Sequence, residues 1–244
     1  MATYEVGLLY WSRGTMQYRK DPLALGETYH IYSRSISMLA IFTSPAEYDR
    51  MLGTLLYYQR GKPTIPFSRT LRYKPKTTPT SLQKIRSSDK PKFVQIVCYC
   101  LMPTHLHLIL KQLTEGGISA YMALILNSYT RYFNIRHHRK GPLWEGRFKD
   151  VRVKTDEQLL HLTRYIHLNP VTAYMVGRPE EWGDSSYREY ISGVKDPICE
   201  FKGLLNIDPA RYRVFVEDRA DYQRRLGDIK RLLLEEPCAP QKWA

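Results

Sequence analysis

The chain has 244 residues, of which 43% are hydrophobic, so it can bury a packed core. Its 37 lysines and arginines outnumber its 24 aspartates and glutamates, and the net charge of +13 points to a polyanionic partner, nucleic acid before membrane. There is no apolar run of membrane-spanning length, no signal-peptide layout, and no zinc or disulfide pattern among the four cysteines, which predicts a cytoplasmic protein with buried thiols and no membrane partner.

The first part of the chain predicts an irregular arm, a strand and a helix. Residues 1–24 lack a regular pattern, and residues 28–34 are typical of a strand. Pro45 then opens a helix that we expect to run to about Arg60. His30 on the strand could line a site, although a histidine bonded within the sheet is the alternative interpretation.

Residues 60–92 form a proline-rich basic segment. Five prolines prevent a long regular element here, and ten basic residues stand against one acidic residue. Long loops of this kind are either functional or flexible. The segment is therefore interpreted as a basic insertion that closes on phosphates, with a solvated linker as the alternative.

A His-x-His pattern follows this segment. The run at residues 93–100 predicts a strand, and Pro103-Thr104 separates it from a second, antiparallel strand. On the second strand His105 and His107 share one face, while the alternating leucines share the other and can fill a core. Two neighbouring imidazoles suit a metal ion, but hydrogen-bonded core histidines or a half-exposed sheet face would give the same pattern.

The second half of the chain predicts two helices and a short strand. A helix is expected over residues 118–136, and residues 149–154 alternate like a strand. Thr155 is a suitable N-cap for the next helix, which we expect to end near Asn169 because proline follows. Tyr165 lies four residues before Asn169, so the two side chains share a helix face.

The last part of the chain predicts a separate, mostly helical extension. Residues 191–244 contain an amphipathic stretch from about Asp208 to Glu235 with balanced charges, which is typical of a helix with a solvated face. The predicted organisation is therefore an N-terminal arm (1–24), a main domain (25–190) that includes the basic insertion, and a C-terminal extension (191–244).

Three separate motifs make the chain resemble the REP-associated tyrosine transposases, which are single-tyrosine, single-strand DNA transposases of the HUH type. The motifs are the Met-Pro-Thr-His-Leu-His-Leu run at 102–108, the segment 141–148, and Arg-Tyr-Ile-His-Leu-Asn-Pro-Val at 164–171. The resemblance implies an α+β fold, a ferredoxin-like antiparallel sheet backed by helices. It also implies that His105 and His107 are metal ligands, that Tyr165 is the nucleophile, and that Asn169 is a third, amide ligand.

The activity implied is metal-dependent cleavage and rejoining of single-stranded or hairpin DNA through a 5′-phosphotyrosine. Nitrogen and oxygen ligands without thiolate favour Mg²⁺ or Mn²⁺ over a closed zinc site. Two other functions stay open: a catalytically silent DNA-binding protein on the same fold, and a metal hydrolase that uses water while Tyr165 is a bystander.

Basic residues from two parts of the chain are predicted to contact DNA, in a protein expected to be a monomer or a homodimer. They are Arg69, Arg72, Lys74 and Lys76 in the insertion, and Arg136, Arg139, Lys140, Arg147, Lys149 and Arg152 after the His-x-His strand.

Overall fold

One four-stranded sheet organises the protein. The structure, a computed structural model, describes residues 22–61, 63–69, 91–194 and 196–219. The strands are β1 (Thr28–Arg34), β2 (Val94–Met102), β3 (His105–Gln112) and β4 (Lys149–Val153), in the spatial order β2-β3-β1-β4 with antiparallel neighbours. With a helix between β1 and β2 and another between β3 and β4, this is a ferredoxin-like arrangement, and the predicted fold class is confirmed.

The helices cover both faces of the sheet. They are α1 (Pro45–Tyr58), α2 (Gly117–Arg136), α3 (Asp156–Thr172), α4 (Tyr187–Ile191) and α5 (Pro209–Glu217). The first three begin within one residue of their predicted starts, and the hydroxyl oxygen of Thr155 accepts the backbone N–H of Gln158 as an N-cap.

Two hydrophobic cores lie on opposite sides of the sheet. Helices α1 and α2 pack on the face that carries Leu106, Leu108 and Leu110, which are fully buried. Helices α3, α4 and α5 pack on the other face, around Ile109 of β3. Because side chains alternate along a strand, the second face is also the face of His105 and His107. The predicted division of β3 into a leucine face and a histidine face is confirmed.

Helix α3 does not end where the sequence predicts. It continues through Pro170 to Thr172 instead of stopping near Asn169. A proline inside a helix removes one N–H donor, here the one that would bond the carbonyl oxygen of Ile166. The side-chain amide of Asn169 donates to that oxygen at 3.4 Å, and this contact compensates in part for the lost bond. The expectation that proline terminates the helix was therefore wrong.

The C-terminal part is only partly as predicted. Helix α5 begins as expected, because Asp208 caps it by accepting the backbone N–H of Arg211 at 2.9 Å. The helix ends at Glu217, so a continuous helix to Glu235 is wrong, and residues 220–244 lie outside the described residues. Three thiols are buried as predicted, those of Cys98, Cys100 and Cys199. Among the helices described, none is long and apolar enough to cross a membrane.

The basic segment leaves and rejoins the fold at one place. The backbone N–H of Phe93 donates to the carbonyl of Gln59 at 2.8 Å, so both ends of the segment meet. Near its start, the ring of Phe67 is buried and packs 4.9 Å from that of Tyr57, centre to centre. The guanidinium of Arg50 lies 4.3 Å above the same ring. Of the predicted DNA contacts in this segment, Arg69 is described and exposed, whereas Arg72, Lys74 and Lys76 lie outside the described residues.

Candidate active site

The two histidines of β3 stand at the start of the strand, directly after a two-residue turn. Pro103 and Thr104 form this turn, and the carbonyl of Thr104 accepts the backbone N–H of Ser35 at 2.8 Å. The rings of His105 and His107 have their centres 5.1 Å apart and are nearly perpendicular. The sheet therefore fixes both imidazoles at one place, as the spacing predicts.

Each of these two rings is held through its Nδ1 atom. Nδ1 of His105 lies 2.9 Å from the hydroxyl oxygen of Thr104, and Nδ1 of His107 lies 2.9 Å from Nε2 of His30. When Nδ1 carries the proton and donates in both contacts, each ring keeps a lone pair on Nε2. Holding one ring nitrogen by a hydrogen bond so that the other can bind is the usual arrangement around metal-binding histidines.

All three histidines are neutral near pH 7, which is the form that binds metal ions. Burial lowers the pKa of His30 to about 4. Burial, with a smaller effect from the positive charge of Arg34, lowers the pKa of His105 to about 4. Burial, and then electrostatic repulsion from His105, His30 and Arg34 when these groups are protonated, hold the pKa of His107 well below its usual range.

Tyr165 lies on α3 above these histidines and remains 41% exposed. Its ring centre is 6.2 Å from that of His107 and 6.5 Å from that of His30, and its plane is nearly perpendicular to both rings. Burial and the neighbouring Tyr32 raise the pKa of Tyr165, and the positive charge of Arg34 opposes this. The fold thus brings Tyr165, the predicted nucleophile, next to His107, a predicted metal ligand. The raised pKa of Tyr165 keeps its phenol protonated near neutral pH.

Asn169 lies one turn after Tyr165, and its orientation follows from the internal proline. Its Nδ2 atom donates to the carbonyl of Ile166, the oxygen that Pro170 leaves without a backbone partner. This contact leaves the amide oxygen Oδ1 as the group free to accept or to bind. An imidazole nitrogen and an amide oxygen are both groups that can bind a divalent metal ion.

A closed metal cage of charged ligands is not part of this site. Within the described ranges, no three His, Cys, Asp or Glu side chains are arranged to hold a metal ion. The third histidine, His30, supports His107 and is not one of three convergent ligands.

The strand β1 contributes two residues that sequence reasoning missed, Tyr32 and Arg34, next to His30, which the sequence had suggested as part of a site. Its side chains alternate, so His30, Tyr32 and Arg34 lie on the face of the predicted ligands. Arg34 is exposed and pairs with His105 in the strand register. Lys149 of β4 pairs with Tyr32, and its ammonium lies 6.0 Å from the centre of that ring. The sequence signal for Tyr32 and Arg34 was that they follow His30 at every second position of β1, which places all three on one face of the sheet.

The other predicted DNA contacts are placed differently. Arg152 lies three residues after Lys149 on β4, so its side chain is on the opposite face of the sheet. It forms a two-point ion pair with Glu27, at 2.7 and 3.2 Å. The Nε atom of Arg136 lies 3.5 Å from the buried carboxylate of Glu47, which His137 also contacts. Arg147, Lys140 and Arg139 lie on the connection between α2 and β4, and the first two are exposed. Among the predicted cations that the structure describes, Lys149 is the one that strand pairing brings next to the candidate site.

The chain was also compared with known protein families. The family model described as "Transposase IS200 like" matches residues 68–169, a range that includes both histidines of β3, the exposed tyrosine of α3 and its amide neighbour. The predicted resemblance to the tyrosine transposases is confirmed.

Two individual proteins are similar to parts of this chain. A Haemophilus influenzae protein whose name assigns it to the REP-associated tyrosine transposases is 27% identical over 104 residues, or 38% of this chain. The alignment covers 58% of that relative, so the chain spans little more than half of its length. A solved REP-associated tyrosine transposase bound to a REP hairpin is 16% identical with a TM-score of 0.47, covering 79% of this chain and 95% of the other.

Proposed function

We propose that this protein cleaves single-stranded DNA at a repeat or hairpin and can rejoin the strands, with Tyr165 as the nucleophile. The observation that carries the proposal is the placement of an exposed phenol above two neutral imidazoles, one buried and one half-buried, with the Tyr165 ring centre 6.2 Å from that of His107. The match of residues 68–169 to the IS200-like transposases supports it.

The proposed reaction is a transesterification. The phenol oxygen of Tyr165 attacks the phosphorus of a phosphodiester, a new O–P bond forms, and the bond to the 3′ oxygen breaks. The proton of the phenol is released, and the leaving 3′ oxygen takes up a proton as a hydroxyl. Because the raised pKa of Tyr165 keeps the phenol protonated, the loss of this proton must accompany the attack.

The same chemistry runs in reverse. The 3′ hydroxyl attacks the phosphotyrosine, the tyrosine oxygen leaves, and the DNA strand is joined again. The number of phosphoester bonds stays the same in both directions, so strand joining needs no ATP. A phenolate is a better leaving group than an aliphatic alkoxide, since the reference pKa of tyrosine is about 10.

The proposed ligands of a divalent ion are His105, His107 and Asn169. A bound Mg²⁺ or Mn²⁺ would draw negative charge from the phosphate and help to orient it. The chain itself contributes the orientation of the ligands, through Thr104 for His105 and through His30 for His107. Tyr32 and Arg34 of β1 lie on the same face as these histidines, and the exposed guanidinium of Arg34 can contact a phosphate.

A denaturing gel distinguishes this function from its two rivals. The protein is incubated with end-labelled single strands and hairpins in the presence of Mn²⁺. A covalent protein–DNA band together with a shortened strand is the expected result. Cleavage without a covalent band would instead indicate a hydrolase that uses water, and intact, bound DNA would indicate a silent binding protein.

DNA capture is expected to depend on the face that carries Arg34 and Lys149. Neutralising both in the Arg34→Gln, Lys149→Gln variant removes two phosphate contacts, so the slope of log affinity against log salt should flatten by about 0.7 for each. Fluorescence anisotropy with a labelled hairpin at several salt concentrations measures this slope. Arg131→Gln, an exposed cation on α2 across the sheet, is the matched control, and equal slopes for both variants would contradict the assignment.

A further inference from the structure

The back of helix α3 is anchored by a buried polar network that the proposed chemistry does not use. His167 is two residues after Tyr165, and this spacing turns it to the other side of the helix, about 200° away. Its side chain is fully buried, whereas that of Tyr165 is exposed. One side of α3 therefore presents the nucleophile, and the other side holds the helix in place.

Every polar atom of the His167 ring has a partner from another element. Nδ1 lies 2.7 Å from the hydroxyl of Tyr212 on α5, and Nε2 lies 2.8 Å from the hydroxyl of Ser186. The hydroxyl of Tyr212 also donates to Thr163 on α3, at 2.9 Å. Tyr212 thus binds α3 at two positions, one turn apart.

Ser186 connects the network to the sheet that carries the histidine ligands. Its hydroxyl oxygen accepts the backbone N–H of Tyr99 on β2 at 3.0 Å, and its own N–H donates to the carbonyl of Tyr99 at the same distance. In the register of the sheet, β2 pairs with β3, and Cys100 stands opposite His107. A continuous hydrogen-bonded path therefore runs from α5 through His167 to the strand beside the predicted ligands.

This path restricts how α3 can move relative to the sheet. Rotation or sliding of the helix would leave buried hydroxyl and imidazole groups without partners, and unpaired buried polar groups are costly. The hydrogen bonds are directional, unlike the apolar contacts of the same core. They therefore define the position of α3, and with it the position of the Tyr165 phenol above His107.

We propose that Tyr212 is a positioning residue for the reaction: through His167 and Ser186 it sets the position of α3 and so aligns Tyr165 with the scissile phosphate. This inference rests on the proposed role of Tyr165 as the nucleophile. It gives the predicted C-terminal extension a part in catalysis although no residue of α5 touches the candidate site. Misplacement of a reacting group by about 1 Å is enough to slow a reaction by about a hundredfold.

The test removes one oxygen atom. Tyr212→Phe in the full chain is expected to slow covalent adduct formation about tenfold or more at saturating hairpin DNA and Mn²⁺. The apparent KM for DNA and the Mn²⁺ affinity should stay close to those of the wild type. The thermal unfolding midpoint should fall by a few degrees because the buried His167 ring loses a partner, so the rates are compared well below that midpoint. Ser186→Ala removes the hydroxyl that links His167 to Tyr99 of β2. It provides a second variant for the same rate measurement if Tyr212→Phe does not fold.

Tyr187→Phe is the matched control. Its ring also packs against His167, at 5.4 Å between ring centres, but its buried hydroxyl has no hydrogen-bond partner among the described residues. This variant should form the adduct at the wild-type rate. An unchanged rate in Tyr212→Phe, or an equal loss in both variants, would overturn the inference. A wild-type protein that forms no adduct would instead refute the proposed function.

Discussion

Tyr165→Phe is expected to abolish both strand cleavage and the covalent protein–DNA adduct, a loss of at least about a thousandfold. The substitution removes the only atom that forms the new bond and leaves the ring in place. Because the phenol is 41% exposed and has no assigned role in the core, folding, Mn²⁺ binding and DNA binding should survive. The measurement is quantification of the adduct on a denaturing gel beside anisotropy with the same DNA.

Tyr132→Phe is the control for this prediction. Tyr132 lies on α2, across the sheet from the candidate site, and its hydroxyl makes only a long contact of 3.5 Å with the carbonyl of Ala46. Adduct formation should therefore continue in this variant. Peptide mapping of the trapped wild-type adduct identifies the residue that carries the nucleotide. Nucleotide attached to a tyrosine other than Tyr165 would refute the assignment.

Metal binding should be lost when both imidazoles of β3 are removed. The His105→Ala, His107→Ala variant keeps only the amide oxygen of Asn169 from the proposed ligand set, and a single neutral oxygen binds divalent ions weakly. Titration calorimetry with Mn²⁺ is expected to give no measurable binding, and the covalent adduct should be absent. Unchanged affinity in the double variant would defeat the proposed site.

His30→Ala makes a finer test of the same site. It removes the hydrogen-bond partner of Nδ1 of His107 but none of the proposed ligands, so Mn²⁺ affinity should fall by about 10-fold to 100-fold without vanishing. His161→Ala is the control, because His161 is an exposed histidine on α3 that contacts Glu157 and Arg164 away from the sheet. An identical affinity for both variants would remove His30 from the site.

Local patterns in the sequence carried most of the information on the fold. The bounds of β1, and the division of β3 into a leucine face and a histidine face, follow from the alternation of side chains along a strand. A face that packs on a core requires apolar residues at every second position. The starts of α1 and α3 follow from local interactions, because the carboxylate of Glu47 accepts the backbone N–H of Ser44 and the hydroxyl of Thr155 accepts that of Gln158. The pair His105 and His107 could be found for the same reason, since neighbours on one strand face lie close together whatever the rest of the chain does.

Contacts between distant parts of the chain could not be predicted in this way. His30 meets His107 across 77 residues, and the meeting depends on the register between β1 and β3, which no single strand encodes. Tyr212 meets His167 across 45 residues through a helix in a segment without a motif. Pro170 misled the prediction because a helix buried against a sheet can tolerate a missing hydrogen bond that an isolated helix would not.

The bond between Gln59 and Phe93 has a consequence for how this protein could change over time. Since the chain leaves and returns at one point, residues inserted or deleted between them need not alter the pairing of the four strands, and longer loops add little entropic cost. The part of the chain richest in positive charge can therefore diverge while the two imidazoles and the phenol stay in register. Related proteins with this fold could in this way bind different DNA through this segment while they keep the same proposed catalytic residues.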